Sequence, residues 1–314
     1  MIFFLFRRLM LGFVILFLVS LVIFGVTELL PGDTATFMLG QRATPDLVTA
    51  LRKQMGLDRP ASVRYIEWIT NILQGDWGES LLLKTAIWPL LQQRFENTLV
   101  LTFLTILLGT PLGIGLGLLA GLNQGRWLDQ TIIVFTTFII SIPSFIIAIF
   151  MVILFSAYLQ WLPASSMIAS DASLGDRVSR LILPILTLLS GMLAHLTRHT
   201  RSSLLTVLQA DYLRTARGKG LAEGLVIFHH ALPNALLPTI TVVALNIGWL
   251  IGGAVLVETV FAYPGLGQLM VQALSSRDIP LLQAISLLTA ASFTLANLAA
   301  DLLYIVLNPR IRYS

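Results

Sequence analysis

The chain holds 314 residues, 56% of them hydrophobic and 11% charged, with a mean hydropathy of +0.85. No water-soluble domain of this length tolerates that balance, so the sequence is that of an integral membrane protein. A net charge of +4 marks membrane loops facing lipid phosphate rather than nucleic acid, and the absence of cysteine excludes disulfides and thiolate-ligated metal.

Arg7 and Arg8 precede an apolar run over 9–30, long enough at about 1.5 Å per residue to cross about 30 Å of hydrocarbon. It is too long for a cleaved signal sequence and no small-residue cleavage site follows, so residues 1–30 are expected to stay attached as a tail and first span. The mixed segment 31–97 opens with Pro31-Gly32-Asp33. It carries Arg42, Arg52, Lys53, Arg59, Arg64 and Lys84 among Asp46, Asp58, Glu67, Asp76 and Glu79. It is expected to be a small extracytoplasmic domain, whose length lets charge translocate despite the positive-inside bias. Short amphipathic helices are predicted over 46–55 and 62–73, the second presenting Tyr65, Ile66, Ile69 and Leu73.

The remainder, 98–314, reads as a bundle of five further spans. The second span, 98–122, carries Gly109, Gly113, Gly115, Gly117 and Gly121; small residues allow close approach, so it is expected to pack inside the bundle. After a short turn bearing Arg126, the third span covers 131–159. Ser141 and Pro143 lie within it, and proline removes a backbone donor, predicting a kink or local unwinding that could hinge a pore. A polar loop opened by Trp161-Leu162-Pro163 leads to a fourth span, 181–205, which ends in Arg198, His199 and Arg201.

The next stretch, 206–238, is the least membrane-like part of the second half. Leu204, Leu208 and Tyr212 recur every four residues, with Leu205 and Ala216 beside them, predicting a helix that Gly218 and Gly220 stop. A second short helix is predicted from Leu221 to about Leu232, where Pro233 and Asn234 turn the chain. Leu221, Leu225 and Phe228 then lie on its surface, suited to a groove in another protein. A fifth span covers 239–262 with Asn246 and a cluster of Gly248, Gly252 and Gly253. Glu258 falls near its outer end, to anchor the following turn or to line a gate, and Pro264-Gly265 suits a tight reversal. Arg277, Asp278, Pro280 and Gln283 lead into the sixth span, 281–307, and the tail holds Arg310 and Arg312. With both termini cytoplasmic, the short inner segments collect Arg7, Arg8, Arg126, Arg198, Arg201, Arg214, Arg217, Lys219, Arg310 and Arg312 against Asp129, Asp211 and Glu223. An all-α protein with six transmembrane helices satisfies the positive-inside rule. Of the polar groups at membrane depth, His195 is expected to be hydrogen-bonded near the interface and Asp301 to pair with a neighbour.

The stretch 211–238 resembles the cytoplasmic loop of permease subunits of bacterial ATP-binding-cassette (ABC) importers, whose motif is Glu-Ala-Ala, three residues, Gly, nine residues, Ile-any-Leu-Pro. Here it falls on Arg214-Thr215-Ala216, Gly220 and His230-Ala231-Leu232-Pro233, matching at Ala216, Gly220, Leu232 and Pro233. The departures point to one branch. Thr-Ala-Arg-any-Lys-Gly-Leu from Thr215, and His-Ala-Leu-any-Asn-Ala-Leu-Leu-Pro ending at Pro238, are similar to the dipeptide, oligopeptide and nickel permeases. Met55-Gly-Leu-Asp-Arg-Pro60, Gly75-Asp-Trp-Gly-Glu-Ser80, the run 258–267, and Arg277-Asp278 with Pro280 resemble the same family, although Ile279 stands where an aromatic is usual.

The resemblance implies a type I importer permease fold in a bacterial inner membrane, with a homologous second permease, two ATP-binding subunits and an extracytoplasmic solute-binding protein. It implies an ATPase-coupling loop holding Ala216, Gly220, Leu221, Ala222, Glu223, Leu225, Phe228, Leu232 and Pro233, and leaves Pro143, Glu258, Pro264 and Gly265 as candidates for a gate or turn. No phosphate-binding Gly-any4-Gly-Lys-Ser/Thr loop occurs, so ATP and magnesium are expected on the partner subunits and this chain is expected to bind no cofactor or metal. Neither a His-Glu-any-any-His nor a Gly-any-Ser-any-Gly motif occurs, which argues against an enzyme. Short peptides are the expected substrate, with nickel or a metal chelate as the alternative because both groups share these motifs. An ion-coupled secondary transporter is the rival class, opposed by the scarcity of carboxylates at mid-membrane.

Overall fold

Backbone amides find no partner in hydrocarbon except one another, so apolar runs of this length cross it as helices. The computed structural model describes residues 2–29, 36, 39, 43–54, 56–168 and 172–307. In chain order the helices are α1 (Ile2–Leu29), α2 (Pro45–Gln54), α3 (Ala61–Leu73), α4 (Ile87–Leu122), α5 (Trp127–Ser141), α6 (Ser144–Met151), α7 (Leu174–Leu208), α8 (Asp211–Gly218), α9 (Glu223–Leu225), α10 (Leu232–Val260), α11 (Leu266–Ser275) and α12 (Ile279–Leu307). Among the described residues five stretches are long and apolar enough to cross a membrane, six if the bent pair of α5 and α6 is counted as one span. No strand occurs among the described residues; Glu79 and Ala86 form an isolated bridge. The expected turn at Pro31-Gly32-Asp33, and Arg42, Met55, Arg310 and Arg312, lie outside the described residues.

Packing divides the chain into two units. One comprises Ile2–Thr98 with Pro264–Thr294. Its core gathers Ile87 and Leu91 of α4, Leu266 and Leu269 of α11, and Leu281 and Ile285 of α12. On α3, Tyr65 and Trp68 lie against Phe24 of α1, with ring centroids 5.4 and 6.1 Å away, and the Tyr65 and Ser20 hydroxyls are 2.8 Å apart. Asp278 is this unit's polar hub, 1% exposed. Its Oδ2 accepts from the Ser80 hydroxyl at 2.5 Å and the Leu82 amide at 3.2 Å, while Oδ1 accepts from the Leu281 amide at 3.3 Å and so caps α12.

The other unit comprises Leu99–Tyr263 with the chain from Leu295 onward. Gly109, Gly113, Gly117 and Gly121 recur every four residues on α4 and face Met192, Leu196, Thr200 and Leu204 of α7. A Cβ on any of them would fall 2.6–2.9 Å from those side chains, so this seam closes only over glycine. Met192 and Leu196 share a core with Leu250, Val257 and Phe261 from α10 and the residue after it. At the start of α5, buried Asp129 accepts from Arg201 of α7 through both oxygens, at 2.6 and 2.8 Å, and from the Gly125 amide at 2.9 Å. Arg201, read from the sequence only as part of a basic flank, is half of a bidentate ion pair.

Polar and proline-bearing positions shift several predicted boundaries. The second helical span begins at Ile87 rather than 98, because Arg94 donates to Gln268 Oε1 at 3.1 Å and Asn97 to the Pro264 carbonyl at 2.8 Å. The fourth begins at Leu174 rather than 181, where the Ser173 hydroxyl accepts from the Asp176 amide at 3.2 Å. The third is two helices meeting at 99°. Pro143 forces Ile142 into extended backbone, φ −99° and ψ 124°, and then stands at the N-cap of α6, which continues in wider i-to-i+5 turns over Val152–Tyr158. Pro264-Gly265 does not make the reversal after α10. Ala262 does, at a left-handed φ of 50°, with the Tyr263 amide donating to the Glu258 carbonyl at 2.8 Å and the Ala262 amide to Thr259 at 3.2 Å, a Schellman closure. Gly265 is extended and stands at the N-cap of α11.

Candidate functional site

The segment 206–238 begins with a break that the leucine spacing does not reveal. α7 ends at Leu208 and α8 starts at Asp211, whose carboxylate suits the positive end of a helix. The helix expected to run on through Tyr212 is therefore two, and the break rotates the apolar stripe. Leu213, not Tyr212, is buried, with Leu204, Val226, Ala231 and Ala235; Leu208 and Ala216 pack against this cluster, while Tyr212 is exposed.

Gly220 then turns the corner. Its φ is +77°, the Gly220 amide donates to Arg217 at 2.9 Å and the Leu221 amide to Ala216 at 3.5 Å, again a Schellman closure. No atom lies within 4 Å of where a Cβ would stand, so the backbone and not the space asks for glycine. Across the corner the Arg217 guanidinium holds the Glu223 carboxylate at 2.8 Å, and Ala222 is the extended residue before α9. The sequence places these opposite charges six residues apart around the glycines, a signal for the clasp that helical spacing alone does not pick out.

Beyond the corner the predicted turn at Pro233 and Asn234 is absent. From α9 the chain passes through wide i-to-i+5 turns at Val226–Ala231 directly into α10. Pro233 thereby falls in the first turn of α10, where proline is best tolerated. The His230 carbonyl accepts from Asn234 Nδ2 at 2.8 Å and the Tyr212 hydroxyl at 3.4 Å. Leu221, Leu225 and Phe228 are exposed, Phe228 at 67%, while Leu232 is half-buried and Pro233 exposed. These apolar side chains ride on a helical run that reaches Val260. The Ser203 hydroxyl donates to the Ala235 carbonyl at 2.7 Å, and the Thr200 and Thr239 hydroxyls lie 3.4 Å apart, so that run is tied to α7. The exposed face is thus continuous in the chain with α10 and hydrogen-bonded through α10 to α7.

The other candidates occupy separate places. Pro143 stands at the elbow between α5 and α6. Glu258 is fully buried, and burial together with its carboxylate pushes the Tyr263 phenol above its ordinary value. Pro264 offers its carbonyl to Asn97, and Gly265 precedes α11. Asn246 bonds within its own helix, to the Val242 carbonyl at 2.8 Å, and His195 is exposed. Among the described residues no three His, Asp or Glu side chains gather as a metal set.

Known proteins are similar to this sequence over nearly its whole length. The family described as "Binding-protein-dependent transport system inner membrane component" matches residues 113–313, and "Binding-prot-dependent transport system membrane comp, N-term" matches residues 1–106. The chain belongs to this family. As a permease component of a binding-protein-dependent ABC importer, it is 36% identical over 307 residues to the probable peptide ABC transporter permease protein y4tP of Sinorhizobium fredii, covering 98% of each chain. It is 38% identical over 298 residues to the glutathione transport system permease protein GsiC of Salmonella choleraesuis, covering 95% of each. A crystal structure of an amino acid ABC transporter with histidines superposes at a TM-score of 0.52 with 15% identity, over 71% of this permease and 94% of that chain. That likeness extends the assignment to the fold alone.

Proposed function

We propose that this permease component forms one half of a translocation path for short peptides. A homologous second permease supplies the other half, two ATP-binding subunits supply ATP hydrolysis with magnesium, and an extracytoplasmic solute-binding protein delivers the substrate. Both termini lie in the cytoplasm, segment 31–97 faces the binding protein, and Ala216 to Pro233 take the ATPase stroke. One observation carries this reading: the corner at Gly220 delivers exposed Leu221, Leu225 and Phe228 to the head of a helical run continuous with a membrane span. An ATPase gripping that apolar face moves α7 and α10 as it closes. Peptides are favoured over nickel because near full-length relatives are named for peptide and for glutathione, itself a short peptide.

The test is uptake and ATP hydrolysis by the assembled complex in lipid, with the binding protein loaded with short peptides or with nickel. Peptide is expected to stimulate hydrolysis; stimulation by nickel alone would overturn the substrate class. Gly220→Asp puts a charge on the corner at a backbone angle that Asp tolerates better than most residues and where no neighbour is crowded. It is expected to insert and assemble normally but to abolish coupled uptake, and wild-type uptake would remove the corner from the coupling path.

A further inference from the structure

The last three turns of α7 carry a polar stripe. His195, His199, Ser202 and Thr206 follow helical spacing along one face, with Arg198 beside them, and all five are exposed. The glycine seam fixes their depth. Gly113 of α4 faces Leu196, Gly117 faces Thr200, and α4 stays apolar from there to Leu122. At about 1.5 Å per residue, His195 lies about 13 Å and His199 about 8 Å short of the end of that apolar run. A permanent cation exposed at such depth faces water or protein rather than hydrocarbon.

Neighbouring helices bound this face without covering it. Arg201 on one side of it holds Asp129 of α5, and Ser203 on the other bonds to Ala235 of α10. One turn outward of His195 the Trp249 ring of α10 covers Gly191, 3.5 Å from where a Cβ would stand. The stripe therefore closes outward and opens inward, past Thr206, towards the segment that holds the Gly220 corner.

Its charge is uncompensated. Among the described residues His195, Arg198 and His199 make no hydrogen bond or ion pair, although His195 was expected to be hydrogen-bonded. The carboxylates of the short inner segments are held elsewhere: Asp129 by Arg201, Asp211 by Arg214 and Glu223 by Arg217. The chain beyond 307 adds Arg310 and Arg312 and no acidic side chain. A guanidinium flanked by two imidazoles, with no acid on the same face, is a receptor for an anion.

We propose that this stripe lines the inner half of the translocation path and receives the carboxylate of the transported peptide. Arg198 supplies the charge, and His195 and His199 supply hydrogen bonds beside it. The assignment rests on the peptide-import reading above. A contact with the terminal carboxylate reads what all uncapped short peptides share and leaves their side chains unread.

This chain has no cysteine, so His199→Cys gives it a single thiol. In the assembled complex in vesicles, an anionic methanethiosulfonate reagent applied from the ATPase side is expected to modify that thiol about tenfold faster than a cationic one. Adding Arg198→Gln is expected to abolish the preference. Leu196→Cys, at the same depth but fully buried, is the unreactive control. No reaction at His199→Cys would show that protein or lipid covers the stripe, and equal rates for the two reagents would show its charge neutralised; either result overturns the proposal. A preference present in phosphatidylcholine and lost in phosphatidylglycerol would give the stripe to lipid headgroups and overturn it equally. Uptake of a tripeptide with a free carboxylate is expected to fall about tenfold in Arg198→Gln and to be restored in Arg198→Lys, with assembly unchanged. Wild-type uptake by Arg198→Gln would remove the carboxylate contact. Peptide-stimulated ATP hydrolysis by the unsubstituted complex, measured in the same vesicles, tests the import reading by itself, and its loss leaves the labelling preference to decide the stripe.

Discussion

The seam between α4 and α7 and the corner at Gly220 both depend on glycine, for opposite physical reasons. Along the seam, Gly109, Gly113, Gly117 and Gly121 lie in ordinary helix, and what matters is the missing Cβ. At the corner, space is open and what matters is a φ of +77°. One site is intolerant of volume and the other of backbone restriction. Tight packing joins α4 to α7, and the corner leaves its surroundings open.

Substitutions separate the two. Gly117→Val is expected to do most damage, since its Cβ would meet Thr200 at 2.6 Å and the Thr197 carbonyl at 2.7 Å, and a backbone atom cannot step aside. Overpacking of that kind costs about 3 kcal/mol, read as a collapse in melting temperature and yield in detergent. Gly115→Val, off the seam with no neighbour within 4 Å, is the matched control, and equal damage from both would break the distinction. Leu225→Ser with Phe228→Ser is expected to leave the melting temperature alone while ATP-driven uptake falls about tenfold, the scale of a lost apolar anchor. A lowered melting temperature instead would show these side chains serving this chain's own packing. The smallest effects compare two left-handed positions: Gly220→Ala should destabilise by about 1 kcal/mol and Ala262→Gly should relieve a similar strain. Opposite signs in the melting shift sharpen the backbone argument, and shifts of the same sign would contradict it.

The sequence disclosed what depends on residue type and hid what depends on three-dimensional context. Gly220 was legible because a left-handed helix end strongly favours glycine, and the stepped glycines from Gly109 to Gly121 announced close packing. The left-handed turn at Ala262 was not, because alanine carries no such mark. Pro264-Gly265, a favourable turn pair in isolation, proved to be extended at Gly265. Pro233 stopped the predicted helix because the rule assumes an uninterrupted α ladder, and the wide turns at Val226–Ala231 moved it to a harmless position. Leu213 was missed for a related reason: the break at Gln209 and Ala210 resets the phase of the apolar stripe, so a four-residue count carried across it selects Tyr212. The Asp129–Arg201 pair joins residues 72 apart, beyond the reach of any local pattern.

The elbow at Pro143 bears on how many times the chain crosses the bilayer. The α5 limb, 15 residues, is about 22 Å long and falls short of about 30 Å of hydrocarbon by itself. The basic residues of the short loops share one side only if the number of crossings is even, so on that charge rule the two limbs count as a single passage. Such a passage carries non-helical backbone at Ile142 part-way through the bilayer, where acyl chains offer no hydrogen bonds. On that count the environment of the elbow must be protein or water, never lipid.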